Sequence, residues 1–144
     1  MKRSAAFGAL PAALTVLAFD YGTRRVGVAC GNTLTRSATP LAAIAVEGDA
    51  RFAAIARLVV EWRPDALVVG VPRHPDGAAH DMTRRAERFA RQLHGRFGLR
   101  VHQVDERYST TEAHALLGAG RGDIDAVSAA VILEQFLNST SAVG

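Results

Sequence analysis

Cysteine occurs once, at Cys30 inside an apolar stretch. A lone cysteine excludes an intramolecular disulfide and any zinc site built on thiolates, and it fits a reducing compartment, so a cytoplasmic location is expected. A small buried core residue is the reading its neighbours favour. Lysine is as scarce: of 17 basic residues only Lys2 is a lysine. The rest are arginine, the better residue for bidentate phosphate contacts. No uninterrupted apolar run approaches the ~18 residues of a membrane span, so no membrane partner is expected. Met1-Lys2-Arg3 followed by Ala5 to Phe19 imitates a secretory leader, but Pro11 interrupts it. Cleavage near its end would also remove the strand that carries the first acid discussed below, so a short tail is expected instead. Repeats, linkers and low-complexity tracts are lacking too. One domain is therefore expected over 14–138, with an N-terminal tail at 1–13 and a C-terminal tail at 139–144.

What is present suits a globular chain. Of 144 residues 49% are apolar, enough for a substantial core, and 22% are charged, an ordinary share. The net charge is +3, and between Arg73 and Arg107 eight arginines face five acids, so the excess lies in that one segment. A local basic excess suits a polyanionic partner.

Leu17-Ala18-Phe19-Asp20-Tyr21-Gly22-Thr23 followed by Arg24-Arg25-Val26-Gly27-Val28 reads as a β-hairpin with Asp20 at the inner end of its first strand. Strands are expected at 14–20 and 25–31, with a weaker third over Thr39–Ile44. A helix over 50–63 would bury Phe52, Ile55, Leu58, Val59 and Trp62, with Asp49 as N-cap and Pro64 as its stop. The continuous apolar run Ala66–Val71 marks a central strand covered on both faces. A helix over 79–96 would turn Met82, Ala86, Phe89 and Leu93 inward, and a fifth strand over 99–104 leads into Asp105-Glu106-Arg107. Ser109-Thr110-Thr111-Glu112 forms a capping box for a short helix, Gly118–Gly122 a loop, and 123–137 the last helix. This order predicts an α/β fold, a five-stranded mixed sheet flanked by helices.

Three acids hold special places. Asp20 ends a strand, Glu106 follows one with Asp105 beside it, and Asp125 lies in the first turn of the last helix. Alternation along an extended chain lets only one of Asp105 and Glu106 face Asp20. Ser128 and Ala129, at i+3 and i+4 from Asp125, would let that helix approach a sheet closely. A buried carboxylate needs a partner. Three converging ones could hold one or two Mg²⁺ or Mn²⁺ ions, and a pair about 4 Å apart suits in-line attack on a phosphodiester. Each acid also has a plainer reading: an Asx-turn for Asp20, a surface partner of Arg107 for Glu106, and a favourable helix-dipole contact for Asp125.

Arg84, Arg88 and Arg91 form one stripe at i, i+4 and i+7 that could follow a phosphate backbone, or simply a solvated face. Arg107, beside the acids, could contact a scissile phosphate. The five histidines show no metal-ligand spacing, and among them His74 alone is placed for a substrate contact.

Four ordered motifs carry a resemblance. They are Phe19-Asp20-Tyr21-Gly22-Thr23 with Gly27-Val28-Ala29, and Val68-Val69-Gly70-Val71-Pro72 with Asp76-Gly77. The others are Asp105-Glu106-Arg107-Tyr108-Ser109-Thr110-Thr111-Glu112-Ala113 and Asp125 through Leu133. Together they resemble the bacterial YqgF/RuvX-type Holliday junction resolvases, proteins also described as pre-16S ribosomal RNA nucleases. The resemblance spans about 15–138. It implies an RNase H-like fold and a metal-dependent nuclease site at Asp20, Glu106 and Asp125, with pre-rRNA or branched DNA as substrate. Arg73-His74 stands where the family more often has apolar or amide residues.

Two other functional classes compete with a nuclease. Asp-x-Gly-Thr also opens sugar kinases and actin-like ATPases, but those need two lobes, more than one 144-residue domain supplies. The other is a non-catalytic nucleic-acid or ribosome-associated module on the same fold. A junction nuclease would be expected to act as a homodimer, whereas an RNA-trimming enzyme need not.

Overall fold

A computed structural model describes residues 13–72, 80–105 and 121–141. Five strands, β1 (Thr15–Asp20), β2 (Val26–Asn32), β3 (Ala38–Ile44), β4 (Ala66–Val71) and β5 (Arg100–Asp105), form one sheet in the order β3-β2-β1-β4-β5. The β1–β2 and β2–β3 pairs are antiparallel, and β1–β4 and β4–β5 are parallel, so the sheet is mixed as expected. Three described helices cover it: α1 (Gly48–Trp62), α2 (Asp81–Phe97) and α3 (Arg121–Ser141).

Alternation sorts the core into two layers. Leu17 and Phe19 of β1 with Leu67, Val69 and Val71 of β4 pack under α1 and α2, through Phe52, Ile55, Phe89 and Leu93. Val16, Ala18, Ala29 and Val68 face the other way, onto Ala129, Ile132, Leu133 and Leu137 of α3. All six residues of β4 are buried, the reason its run is apolar throughout. Phe89 is the wedge of the first layer, with ring centroids 6.0 Å from Phe19, 5.1 Å from Tyr21 and 5.9 Å from Phe52. Burial pushes the Cys30 thiol above its ordinary pKa, consistent with an inert core residue.

Helix ends depart from expectation for local reasons. The N-cap of α1 is Glu47, without a side-chain cap bond, and Asp49 lies in the first turn. Gly48 takes φ +63, a left-handed angle that glycine adopts without strain, in the turn ahead of Asp49. Trp62, expected inward, is 38% exposed, while Arg51 is buried at 5%. The helix does stop before Pro64: Arg63 turns left-handed and donates to the Val59 carbonyl at 2.8 Å. At the start of α2, His80 and Thr83 form a capping box, and the Thr83 hydroxyl also donates to the Pro72 carbonyl at the end of β4. The last helix starts at Arg121 rather than 123, taking Gly122 into its first turn. The short helix expected from Ser109 and the loop at 118–120 lie outside the described residues. No described helix is long and apolar enough to cross a membrane.

Candidate active site

Asp20 is the last residue of β1, the central strand. Its Cα partners are Gly27 on β2 and Gly70 on β4. Directly opposed residues share a face, and Asp20 follows Val16 and Ala18 at steps of two, so its carboxylate points to the α3 side. Neither neighbour on that side carries a side chain. Glycines inside strands mark places where another backbone or a ligand comes close.

Here the close approach is α3. A Cβ added to Gly27 would lie 1.9 Å from the Asp125 carbonyl oxygen and 3.0 Å from the Ala126 nitrogen. Only glycine lets the start of α3 rest on β2 at this point. Ala126, Ser128 and Ala129 are all buried and small, which permits the same approach along the helix. Asp125 is thereby seated over the residue that pairs with Asp20.

The Asp125 carboxylate accepts a hydrogen bond from Arg25 Nε at 2.5 Å, with the two side chains 31% and 22% exposed. A charge-assisted bond in this half-buried setting fixes the orientation of both groups. Arg25 stands at the end of the turn after Asp20, so that short turn supplies an acid and a base to one site. The turn itself is tight: a Cβ on Gly22 would meet the Arg25 carbonyl at 2.5 Å.

Asp105 ends β5 opposite Val71, which belongs to the α1–α2 layer, whereas Val104 packs against the α3 layer. Asp105 is therefore on the other face of the sheet from Asp20. Glu106, Arg107 and His74 lie outside the described residues. Among the described residues no group of three metal-ligating side chains is found; of the expected acids, Asp20 ends β1 and Asp125 lies at the start of α3 over Gly27, the strand partner of Asp20. Two carboxylates with oxygen donors suit Mg²⁺ or Mn²⁺, hard cations that favour such ligands.

On the opposite face, next to Asp20 in sequence, Tyr21 opens a groove of about 480 Å³ lined by Thr23, Glu47, Gly48, Arg51, Arg85 and Arg88, among others. Arg51 donates from Nε to Val46 O and from Nη2 to Thr23 O, both at 3.0 Å, and its guanidinium lies 5.7 Å from the Tyr21 ring centroid. The stripe expected on α2 is divided. Arg88 lines this groove, Arg91 lines a second hollow beside β5 with His94 and Arg100, and Arg84 is exposed. Sequence reasoning missed Arg25 and Arg51. Arg25 was within reach, because it follows Asp20 by one turn; a buried arginine on the first turn of α1 has no such signal.

Residues 14–139 match the family model described as RuvX, Holliday junction resolvase. A relative from Polaromonas sp. strain JS666, named "Putative pre-16S rRNA nuclease", is 64% identical over 87% of this chain and 88% of its own length. One of the same name from Paraburkholderia phytofirmans is 54% identical over 88% of this chain and 90% of its own length. The fold is similar to RuvC of T. thermophilus in complex with Holliday junction substrate, with TM-score 0.54 and 17% identity over 89% of this chain and 96% of that one. It is also similar to the yeast mitochondrial Holliday junction resolvase, with TM-score 0.54 and 9% identity over 88% of this chain and 78% of that one. The fold is accordingly the RNase H-like one, and the chain belongs to the RuvX family of Holliday junction resolvases.

Proposed function

We propose that this protein is a metal-dependent endonuclease that hydrolyses phosphodiester bonds, acting in 5′-end processing of pre-16S rRNA, in resolution of Holliday junctions, or in both. The observation that carries this reading is the seating of Asp125 over Gly27, the strand partner of Asp20. It puts the start of α3, with Asp125, over the end of the central strand, beside glycines that would leave room for a phosphate. Glu106, one residue beyond Asp105, is the proposed third acid, because alternation turns position 105 away from Asp20.

Asp20, Glu106 and Asp125 would hold Mg²⁺ or Mn²⁺. A cation bound there supplies activation of water and stabilisation of the leaving 3′ oxygen. Arg25 holds the Asp125 carboxylate in one orientation and brings positive charge to the place where a phosphate would dock. Arg107, His74 and the exposed arginines Arg84, Arg88 and Arg91 would hold the nucleic-acid backbone. A role on ribosomal RNA or chromosomal junctions puts the protein in the cytoplasm.

The test is cleavage of a pre-16S rRNA fragment and of a four-way DNA junction with Mn²⁺. Asp20→Asn and Glu106→Gln should each lower the rate by about 100-fold or more, the scale of losing one charge-stabilising group. Chelation should abolish cleavage and added Mn²⁺ restore it. Unchanged cleavage in both variants would overturn the assignment. Light scattering decides whether the active species is a dimer, as symmetric cutting of a junction requires. The Arg25–Asp125 pair favours one second reading, a non-catalytic nucleic-acid module in which arginine takes the place of a cation. Absence of cleavage at any metal concentration, with binding retained, would select it.

A further inference from the structure

The groove beside Tyr21 lies across the sheet from Asp125, and neither Asp20 nor Asp125 lines it. We propose that it is a second phosphate subsite, taking a phosphodiester of the same substrate strand that neighbours the one held at Asp20. This rests on the reading of the protein as a nucleic-acid enzyme.

Three observations carry it. First, the groove is cationic, with Arg51, Arg85 and Arg88 against Glu47 alone among the lining residues. Second, Arg51 is a fixed charge. It is 5% exposed, and both of its hydrogen bonds given above go to carbonyl oxygens, which hold the guanidinium in place without cancelling its charge. A charge that is costly to bury and rigidly aimed is what a phosphate site needs. The two outer arginines are adjustable by contrast. Arg85 pairs with Asp81 at 2.9 Å, but the side chains are 53% and 71% exposed, so the bridge is weak and readily exchanged for a phosphate oxygen. Third, the groove adjoins the proposed site through the chain itself. Asp20 and Tyr21 are consecutive, with Cα atoms ~3.8 Å apart, and they point to opposite faces at the open end of β1. A strand bent over that end meets both. The volume of about 480 Å³ is that of a small-ligand site and admits a nucleotide unit rather than a duplex.

The experiment measures binding by fluorescence anisotropy, using a labelled single-stranded oligonucleotide with chelator present to prevent cleavage. Its phosphates are replaced one at a time by uncharged methylphosphonates. The variant is Arg85→Ala/Arg88→Ala, two exposed positions whose change leaves the core untouched, with folding checked by circular dichroism. Arg57→Ala, which removes one exposed arginine on α1 away from the groove, is the control for a general loss of positive charge. The double variant should bind about tenfold more weakly, with a log–log salt slope shallower by ~0.7, the value for one phosphate contact on a single strand. One methylphosphonate position should cost the wild type a similar factor and cost the double variant, which keeps only Arg51 at the subsite, clearly less. Arg57→Ala should stay within about twofold of wild type.

Equal losses in Arg57→Ala and the double variant, or methylphosphonate effects spread evenly along the strand, would overturn the subsite and leave the nuclease reading standing. Position-specific dependence on Arg85 and Arg88, without cleavage by the wild type in Mn²⁺, would support the subsite and overturn the nuclease reading. No binding of any oligonucleotide by the wild type would overturn both.

Discussion

Gly27 and Arg25 decide the geometry at the residue scale, and neither bears a role in the expected acid cluster. Gly27→Ala puts a methyl group against the backbone of α3, where no side chain can swing aside. The expected result is a loss of about 1–3 kcal/mol or more in urea denaturation, the scale of overpacking where the backbone itself must shift. Cleavage should fall further than stability alone explains, because Asp125 moves with the helix. Arg25 predicts a different pattern. Removing a half-buried, charge-assisted pair costs about 1 kcal/mol. Arg25→Lys keeps the charge but loses the planar donor that meets Asp125. Both Arg25→Ala and Arg25→Lys should therefore lower cleavage, while only Arg25→Ala removes the positive charge and weakens oligonucleotide binding. Equal binding by the two variants would show that the guanidinium acts on Asp125 alone.

At the scale of elements, α3 is adapted for close approach rather than for strong packing. Its contacts with β1 and β2 run through Ala126, Ser128, Ala129 and Ala130 before reaching Ile132, Leu133 and Leu137. Ser128 is 1% exposed, and its hydroxyl has no hydrogen-bond partner among the described residues. A buried unpaired hydroxyl is a cost, and alanine is the better helix former. Ser128→Ala should therefore leave stability unchanged or raise it by up to about 1 kcal/mol in chemical denaturation. The strands β1, β2 and β4 were legible in the sequence because each is a short apolar run, with clear punctuation in Asp20-Tyr21-Gly22 after β1 and Pro64 before β4. The beginnings of helices were harder to read. Asp49 looked like a cap, but the left-handed Gly48 governs the turn, and a backbone angle leaves no trace in a polar–apolar pattern. Arg51 was overlooked for a related reason: its burial depends on the carbonyls of Val46 and Thr23, one of them 28 residues away.

At the scale of the whole molecule, two layers pack on opposite faces of one sheet, and the edge strand β5 carries a histidine whose proton affinity falls on folding. His102 lies against the Phe136 ring at 4.8 Å, and burial, with a smaller contribution from Arg100, lowers its pKa below the ordinary value. The unfolded chain then binds the proton more tightly than the folded one. Stability from the neutral ring is complete above the unfolded pKa of about 6.5 and is lost as the pH falls through the lower folded value. Global unfolding followed from pH 7.5 down to 5 should show a steeper loss for wild type than for His102→Gln, the difference isolating this group from the other histidines. The five-stranded mixed sheet was foreseeable from the element sequence, and Asp20 from its position after an apolar run. The approach of α3 to the Asp20 end of β1 was only permitted by the sequence, since it depends on a glycine 98 residues before Asp125 in the chain, opposite a strand end.

The turn from Tyr21 to Arg25 belongs to both faces at once. Thr23 offers its carbonyl to Arg51 in the groove, Arg25 grips Asp125 on the other side, and Gly22 leaves the turn no slack. A ligand that pulls Arg51 or Tyr21 shifts the same few peptide units that set Arg25. If both proposed sites bind phosphate, occupancy of the two faces would be linked, and reciprocally so: whatever factor a groove phosphate imposes on binding at Asp125, binding at Asp125 would return to the groove.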